Sequence, residues 1–207
     1  MFYAVLIETS IRPLRQFDDP AAVAAARGAF VDAALALVRD SGGLDFSVAD
    51  VVRRSGSHNA AFYRLFGSKD ALVLAMAAAA ARRTAARLES HVPREANDAD
   101  RVRAWARVIL HLAANPATAA ATQAFSIERH KLLQRFPDSD EIREPVKRVL
   151  RDVLREAGLA EAALLTNAAF ELVMAQQATW IARRHRPSAS EIEQHANLVV
   201  RLVGLCP

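Results

Sequence analysis

Cysteine is all but missing from this chain: Cys206, next to the C-terminus, is its single thiol. One thiol can build neither a disulfide framework nor a cysteine-ligated metal cluster within one chain. Glycine and proline are sparse, at 7 and 8 of 207 residues, while alanine is abundant, which favours helices over turn-rich β architectures. No apolar run approaches the roughly 20 residues of a membrane span, and no basic region precedes the short apolar start Phe2–Ile7, so a cytoplasmic protein is expected. A one-signed charge block is absent as well. The net charge is +4, yet residues 1–91 hold 11 Lys/Arg against 9 Asp/Glu and residues 92–207 hold 16 against 14. Both parts are equally basic, so bulk charge does not single out a polyanion-binding region. Glycine loops for phosphate, nucleophile elbows and His/Cys/carboxylate clusters at metal spacing are missing too, which argues against an enzyme and gives no reason to expect a cofactor or metal.

Apolar residues make up 52% of the chain, enough for a substantial core. Residues 1–18 read as an arm of uncertain role: Phe2–Ile7 suits a stray strand, a disordered arm or sequence upstream of the natural start, and Arg12 and Arg15 suit either a DNA groove or, more commonly for a terminus, a solvated tail. Asp19-Pro20 reads as a helix start, with Val23, Phe30, Ala34 and Leu37 at helical spacing as far as about Asp40. Ser41-Gly42-Gly43 ends that helix. Ser47 and Asp50 then stand at capping-box spacing, Val48, Val51 and Val52 face inward, and Gly56 supplies a turn. Ser57 or His58 caps a third helix in which Phe62, Leu65 and Phe66 share a face. Gly67 stops it, Ser68 caps a fourth helix with Lys69 in its first turn, and that helix reaches about His91.

Beyond the polar link after Pro93, helices are expected over 100–114, from Asn115-Pro116 to about Phe136, from a cap at Asp138 or Ser139 to Gly158 with Pro145 either kinking it or marking a start near Glu144, over 161–184 and from Ser190. In the 161–184 helix, Leu165, Ala169, Leu172, Val173 and Trp180 form one stripe, and Phe170, Met174 and Ile181 a second. A helix apolar on two faces needs cover on two sides. Val199 and Leu202 of the last helix adjoin, and a second subunit is the simplest outer cover. Leu165, Leu172, Val173, Trp180, Val199 and Leu202 are therefore candidate dimer contacts. Met76, Trp105, Ile109, Phe125, Phe170 and Met174 are candidates for an apolar ligand pocket, with His111 and His130 to orient a polar group, although the same side chains also suit an ordinary core.

A short scaffold helix, a glycine turn and a second helix with one anchored and one free face make a helix–turn–helix. Its free face offers small and hydrogen-bonding side chains: Ser57, His58, Asn59, Ala60, Ala61, Tyr63 and Arg64. Asn59 suits a bidentate contact to adenine, and Arg64 suits guanine or phosphate. Ser47 and Lys69 lie at helix starts, where a phosphate is favoured, and His58 serves equally as a cap or a base contact. The expected partners are double-stranded DNA, a small-molecule effector and a second copy of the chain. An adaptor that docks an acidic protein, or a small-molecule binder without an operator, is the alternative.

Ser47-Val48, Ser55-Gly56, Tyr63-Arg64-Leu65-Phe66 and Ser68-Lys69-Asp70-Ala71-Leu72 together resemble the headpiece of the TetR family of bacterial transcriptional regulators, over about residues 20–75. The resemblance implies an all-α chain: a three-helix headpiece over 19–67, joined by the long fourth helix to a regulatory and dimerisation bundle over 68–207. It also implies a repressor that binds short palindromic operators as a homodimer and is released by an inducer. Ser57 stands where a valine is usual, and Ala60 where a small residue, often glycine, is usual, so the resemblance does not name the DNA sequence that is read.

Overall fold

The computed structural model describes residues 19–115, 118, 119, 122, 132, 134–136 and 141–206. The described residues form helices and no strand. α1 (Pro20–Ser41) starts where the Asp19 carboxylate accepts the Ala21 N–H at 2.9 Å, and it ends at Gly42 with φ +76°. α2 (Val48–Ser55) is opened by the Ser47/Asp50 capping box and closed by Gly56 at φ +66°. α3 (Asn59–Phe66) begins at His58, whose side chain makes no capping bond, and stops at Gly67. A left-handed backbone at Gly56 lets the chain reverse between two eight-residue helices with no Cβ to clash.

Aromatic packing fixes α3 onto α1. The Phe30 ring meets Phe62 at 5.7 Å and Phe66 at 5.9 Å, both edge to face. Val38, Phe46, Val51, Leu72 and Met76 complete this core. Arg27 of α1 adds a tie: its guanidinium lies 4.5 Å from the centre of the Phe66 ring and donates to the Leu65 carbonyl near the end of α3. α1 is the described helix long and apolar enough, by composition, to cross a membrane, contrary to the expectation that no stretch would be. Its apolar length instead serves the headpiece, through Phe30, Val31, Ala34 and Val38.

α4 (Lys69–His91) carries two cores on one rod, about 34 Å long at 1.5 Å per residue over its 23 residues. Leu72, Val73 and Met76 belong to the headpiece core, and Ala85 and Leu88 to the body core. Alanines 77–81 lie between them, only partly buried. The body is built around α5 (Asp98–Leu110), which packs on α4, α6 (Glu144–Glu156), α7 (Ala162–Ala182) and α8 (Ala189–Leu202). Asn97 caps α5, and the helix gives way to a 3-10 turn at His111–Ala113 rather than running on to Ala114. Pro145 lies in the first turn of α6, where its missing N–H costs nothing, so that helix starts at Glu144 without a kink. α8 starts at Ala189, behind a Ser188/Glu191 capping box. Thr118, Ala119, Thr122, Leu132, Gln134 and Arg135 are helical, while most of the helix expected up to Phe136 lies outside the described residues. Leu132 is 7% exposed and sits in the headpiece core, so the body reaches into the headpiece.

The two apolar stripes of α7 need less outside cover than expected. Val173, Trp180 and Val199, read as partner contacts, are at most 5% exposed within the single chain, because α5, α6 and α8 pack on α7, and α5 and α7 pack on α8. Leu165 and Leu172 pack partly on the same core. The apolar residues left outside are Leu164, Leu198 and Leu202, at 62%, 40% and 42% exposure. Only Leu202 of these stood among the expected contacts.

Candidate nucleic-acid interface

The free face of α3 is held out by what anchors the other face. Phe62 is fully buried, and Ala61 and Phe66 lie beside it in the headpiece core. His58, Asn59, Ala60, Tyr63 and Arg64 are exposed, and Ser57 is half-buried. Tyr63 is a large aromatic left 56% exposed, its ring edge-on to Phe62 at 5.3 Å. Ala61, expected on the reading face, is 3% exposed: one residue along a helix turns a side chain by about 100°, which here carries it from the free face to the anchor. The surface therefore offers an amide, a phenol, an imidazole and a guanidinium over a small alanine, a set able to contact base edges and phosphates.

The two expected phosphate contacts at helix starts are differently employed. The Ser47 hydroxyl donates to the Asp50 carboxylate at 2.6 Å and accepts the Asp50 N–H at 3.1 Å. The Ser47 N–H donates to the same carboxylate at 2.9 Å. These bonds from Ser47, and then Arg53 at 2.5 Å, hold the Asp50 carboxyl down to about 2 from its ordinary 3.8. A carboxylate thus already occupies the positive end of α2. Lys69 turns inward: its ammonium donates to the carbonyls of Leu44 and Phe46, both at 2.7 Å, and lies 4.7 Å from the centre of the Phe46 ring. It pins the α1–α2 loop to the start of α4. Arg54 pairs with Asp40 at 2.6 Å, again tying α2 to α1.

A cavity of about 490 Å³ opens where α1 meets the body. Asp32, Leu35 and Arg39 of α1 form one wall, and Arg83, Thr84 and Arg87 of α4 another. Val108 and Leu112 close the inner side, with Thr118 and Thr122 beside them. Of the expected pocket residues, the five described ones, Met76, Trp105, Ile109, Phe170 and Met174, do not line it. Met76 is in the headpiece core, fully buried. Trp105 and Ile109 face the body core, where the Trp105 Nε1 donates to the Val146 carbonyl at 3.0 Å. Phe170 is 3% exposed, 6.4 Å from Trp105, and Met174 packs on the same core. Phe125 and His130 lie outside the described residues. His111 is exposed, its Nδ1 2.9 Å from the Arg107 carbonyl. Sequence reading misses this cavity because its apolar residues, Leu35, Ala80, Val108 and Leu112, come from separate elements and stand among arginines and threonines that read as solvated helix faces.

Residues 30–76 match the sequence model of the bacterial regulatory proteins, tetR family. The folds of solved regulators agree over nearly the whole chain. The regulator FadR from Bacillus subtilis, solved in complex with stearoyl-CoA, superposes with a TM-score of 0.66 at 17% identity, over 85% of this chain and 96% of that one. RolR, solved with resorcinol, gives 0.63 at 18% identity, over 90% and 91%. NemR of E. coli, in its reduced form, gives 0.66 at 18%, over 86% and 95%. No curated protein sequence matches the chain. Residues 30–76 thus carry the sequence pattern of the tetR-family regulatory proteins, and the chain as a whole has the all-α fold of these solved regulators.

Proposed function

We propose that the chain is an effector-responsive repressor that binds a palindromic operator as a homodimer in the cytoplasm. The observation that carries this is the exposed Asn59–Tyr63–Arg64 face of α3, held rigid by Phe30, Phe62 and Phe66. The headpiece, residues 19–67, reads DNA, and residues 68–207 sense and dimerise. Two α3 helices related by a two-fold axis would enter successive major grooves about 34–36 Å apart. The exposed leucines Leu164, Leu198 and Leu202 on the two last helices support a partner surface there. A small molecule is proposed as the effector because the cavity is walled by both headpiece and body helices, so an occupant contacts both parts at once. Relatives of the same fold have been solved with stearoyl-CoA and with resorcinol, and this chain is proposed to bind an effector of its own.

The test is fluorescence anisotropy on DNA from upstream of the gene and its neighbours, with base-pair substitutions through any palindrome found. Tyr63→Phe weakens binding to every sequence alike, as loss of a phosphate contact does. Asn59→Ala relaxes preference at one position per half-site, by about 1–3 kcal/mol. Equal effects of both variants on specific and random DNA would count against α3 as the reading helix.

A further inference from the structure

The geometry points to an anionic amphiphile as the effector, with its charged head bound by Arg39, Arg83 and Arg87 at the seam between α1 and α4; the inference rests on the regulatory reading above. Among the described residues, three arginines and one aspartate line the cavity, leaving two positive charges in surplus there. Arg83 is shared with Asp32 at 2.8 Å. Arg39 and Arg87 have no carboxylate partner among the described residues, although Asp32 stands in the same wall. Uncompensated guanidinium groups facing one space bind a carboxylate or phosphate head through paired N–H donors. Leu35, Ala80, Val108 and Leu112 make the inner lining apolar, which favours a hydrocarbon or aromatic body behind that head. The volume falls within the range of about 300–1,000 Å³ that holds small ligands.

The head competes with Asp32 for Arg83. The Asp32–Arg83 pair joins the headpiece helix to the body-facing half of α4, so an anion that takes Arg83 loosens one tie between them. An occupant that favours the untied arrangement shifts the headpiece by linkage.

The test is calorimetric titration of the full chain, without DNA, with octanoate, octyl phosphate, 1-octanol and octylamine at one ionic strength. Octanoate and octyl phosphate are expected to bind at least about tenfold tighter than octanol, and octylamine more weakly still. The double variant Arg39→Met/Arg87→Met loses about tenfold or more for octanoate and leaves octanol unchanged. Asp32→Asn removes the competing carboxylate and tightens octanoate severalfold, a gain that a folding defect cannot mimic. Octanol binding as tightly as octanoate, no binding of either anion, or an arginine variant that loses only operator affinity would each overturn the inference. Because the titration contains no DNA, its failure leaves the operator reading intact. Conversely, an arginine-dependent octanoate site with no operator footprint would overturn the operator reading alone.

Discussion

Replacing Lys69 by methionine separates two roles a lysine at this position can play. The side chain stays long and apolar enough to cover Phe46, but the ammonium goes. Its two bonds of 2.7 Å to the Leu44 and Phe46 carbonyls go with it. Hydrogen bonds to a charged group contribute about 1.5–3 kcal/mol each. Water can reach this partly exposed site and restore part of the loss, and methionine gives up less rotamer freedom than an ordered lysine. A net destabilisation of about 2–3 kcal/mol is expected. For a chain of this size that lowers Tm by about 4–12 °C. The partners are carbonyl dipoles and an aromatic face rather than a carboxylate, so the deficit should change little between low and moderate salt. Urea melts at two salt concentrations measure it. Operator binding, tested well below the melting transition, should keep the same slope of log affinity against log salt. Stability within about 0.5 kcal/mol of the parent, together with a slope smaller by about one, would refute the reasoning and return Lys69 to the phosphate backbone.

Glycine substitutions should move stability in opposite directions. Gly56→Ala forces a Cβ into a left-handed backbone of φ +66° and is expected to cost about 1–2 kcal/mol, whereas Gly28→Ala, inside α1 with open space around the new Cβ, should add about 0.5–1 kcal/mol by thermal melting. Acid should loosen the helix starts at α2 and α8. Asp50 is held down to about 2 by Ser47 and Arg53, and Glu191 to about 2 by the Ser188 N–H and hydroxyl and by His185. Both carboxyls have lower values in the folded chain than their ordinary 3.8 and 4.5, so the unfolded chain binds more protons in between. Their contribution is complete above about pH 5 and fades as pH falls towards 2. Ser47→Ala and Ser188→Ala should each flatten the acid limb of a stability–pH curve followed by circular dichroism.

Much of the headpiece was legible because its signals are local. Asp19-Pro20, the Ser47/Asp50 box, Gly56 and Gly67 each act within about four residues of chain, and a cap or a stop stands at each. The Phe62–Phe66 anchor followed from helical spacing alone. What was not legible depends on partners distant in sequence. Lys69 is 25 residues from Leu44, Arg27 is 38 from Leu65, and Arg83 is 51 from Asp32. Nothing in the neighbouring letters marks a lysine that turns inward from one that faces solvent. Apolar stripes on α7 were read correctly as apolar, but periodicity cannot say which neighbour covers them, and here α5, α6 and α8 take most of both. Ser188 with Glu191 is a local signal that Pro187 overshadowed, which set the expected start of α8 one residue late.

Footprinting of the purified protein on DNA upstream of its own gene and adjacent genes, at low and at physiological salt, tests the regulatory account most directly. Protection of a palindrome is expected, with half-sites about one helical turn apart and an affinity that falls steeply as salt rises. Protection should disappear on Tyr63→Ala at the higher salt, with the fold retained. No protected site at either salt, from protein whose helices and melting transition are intact, would contradict the account.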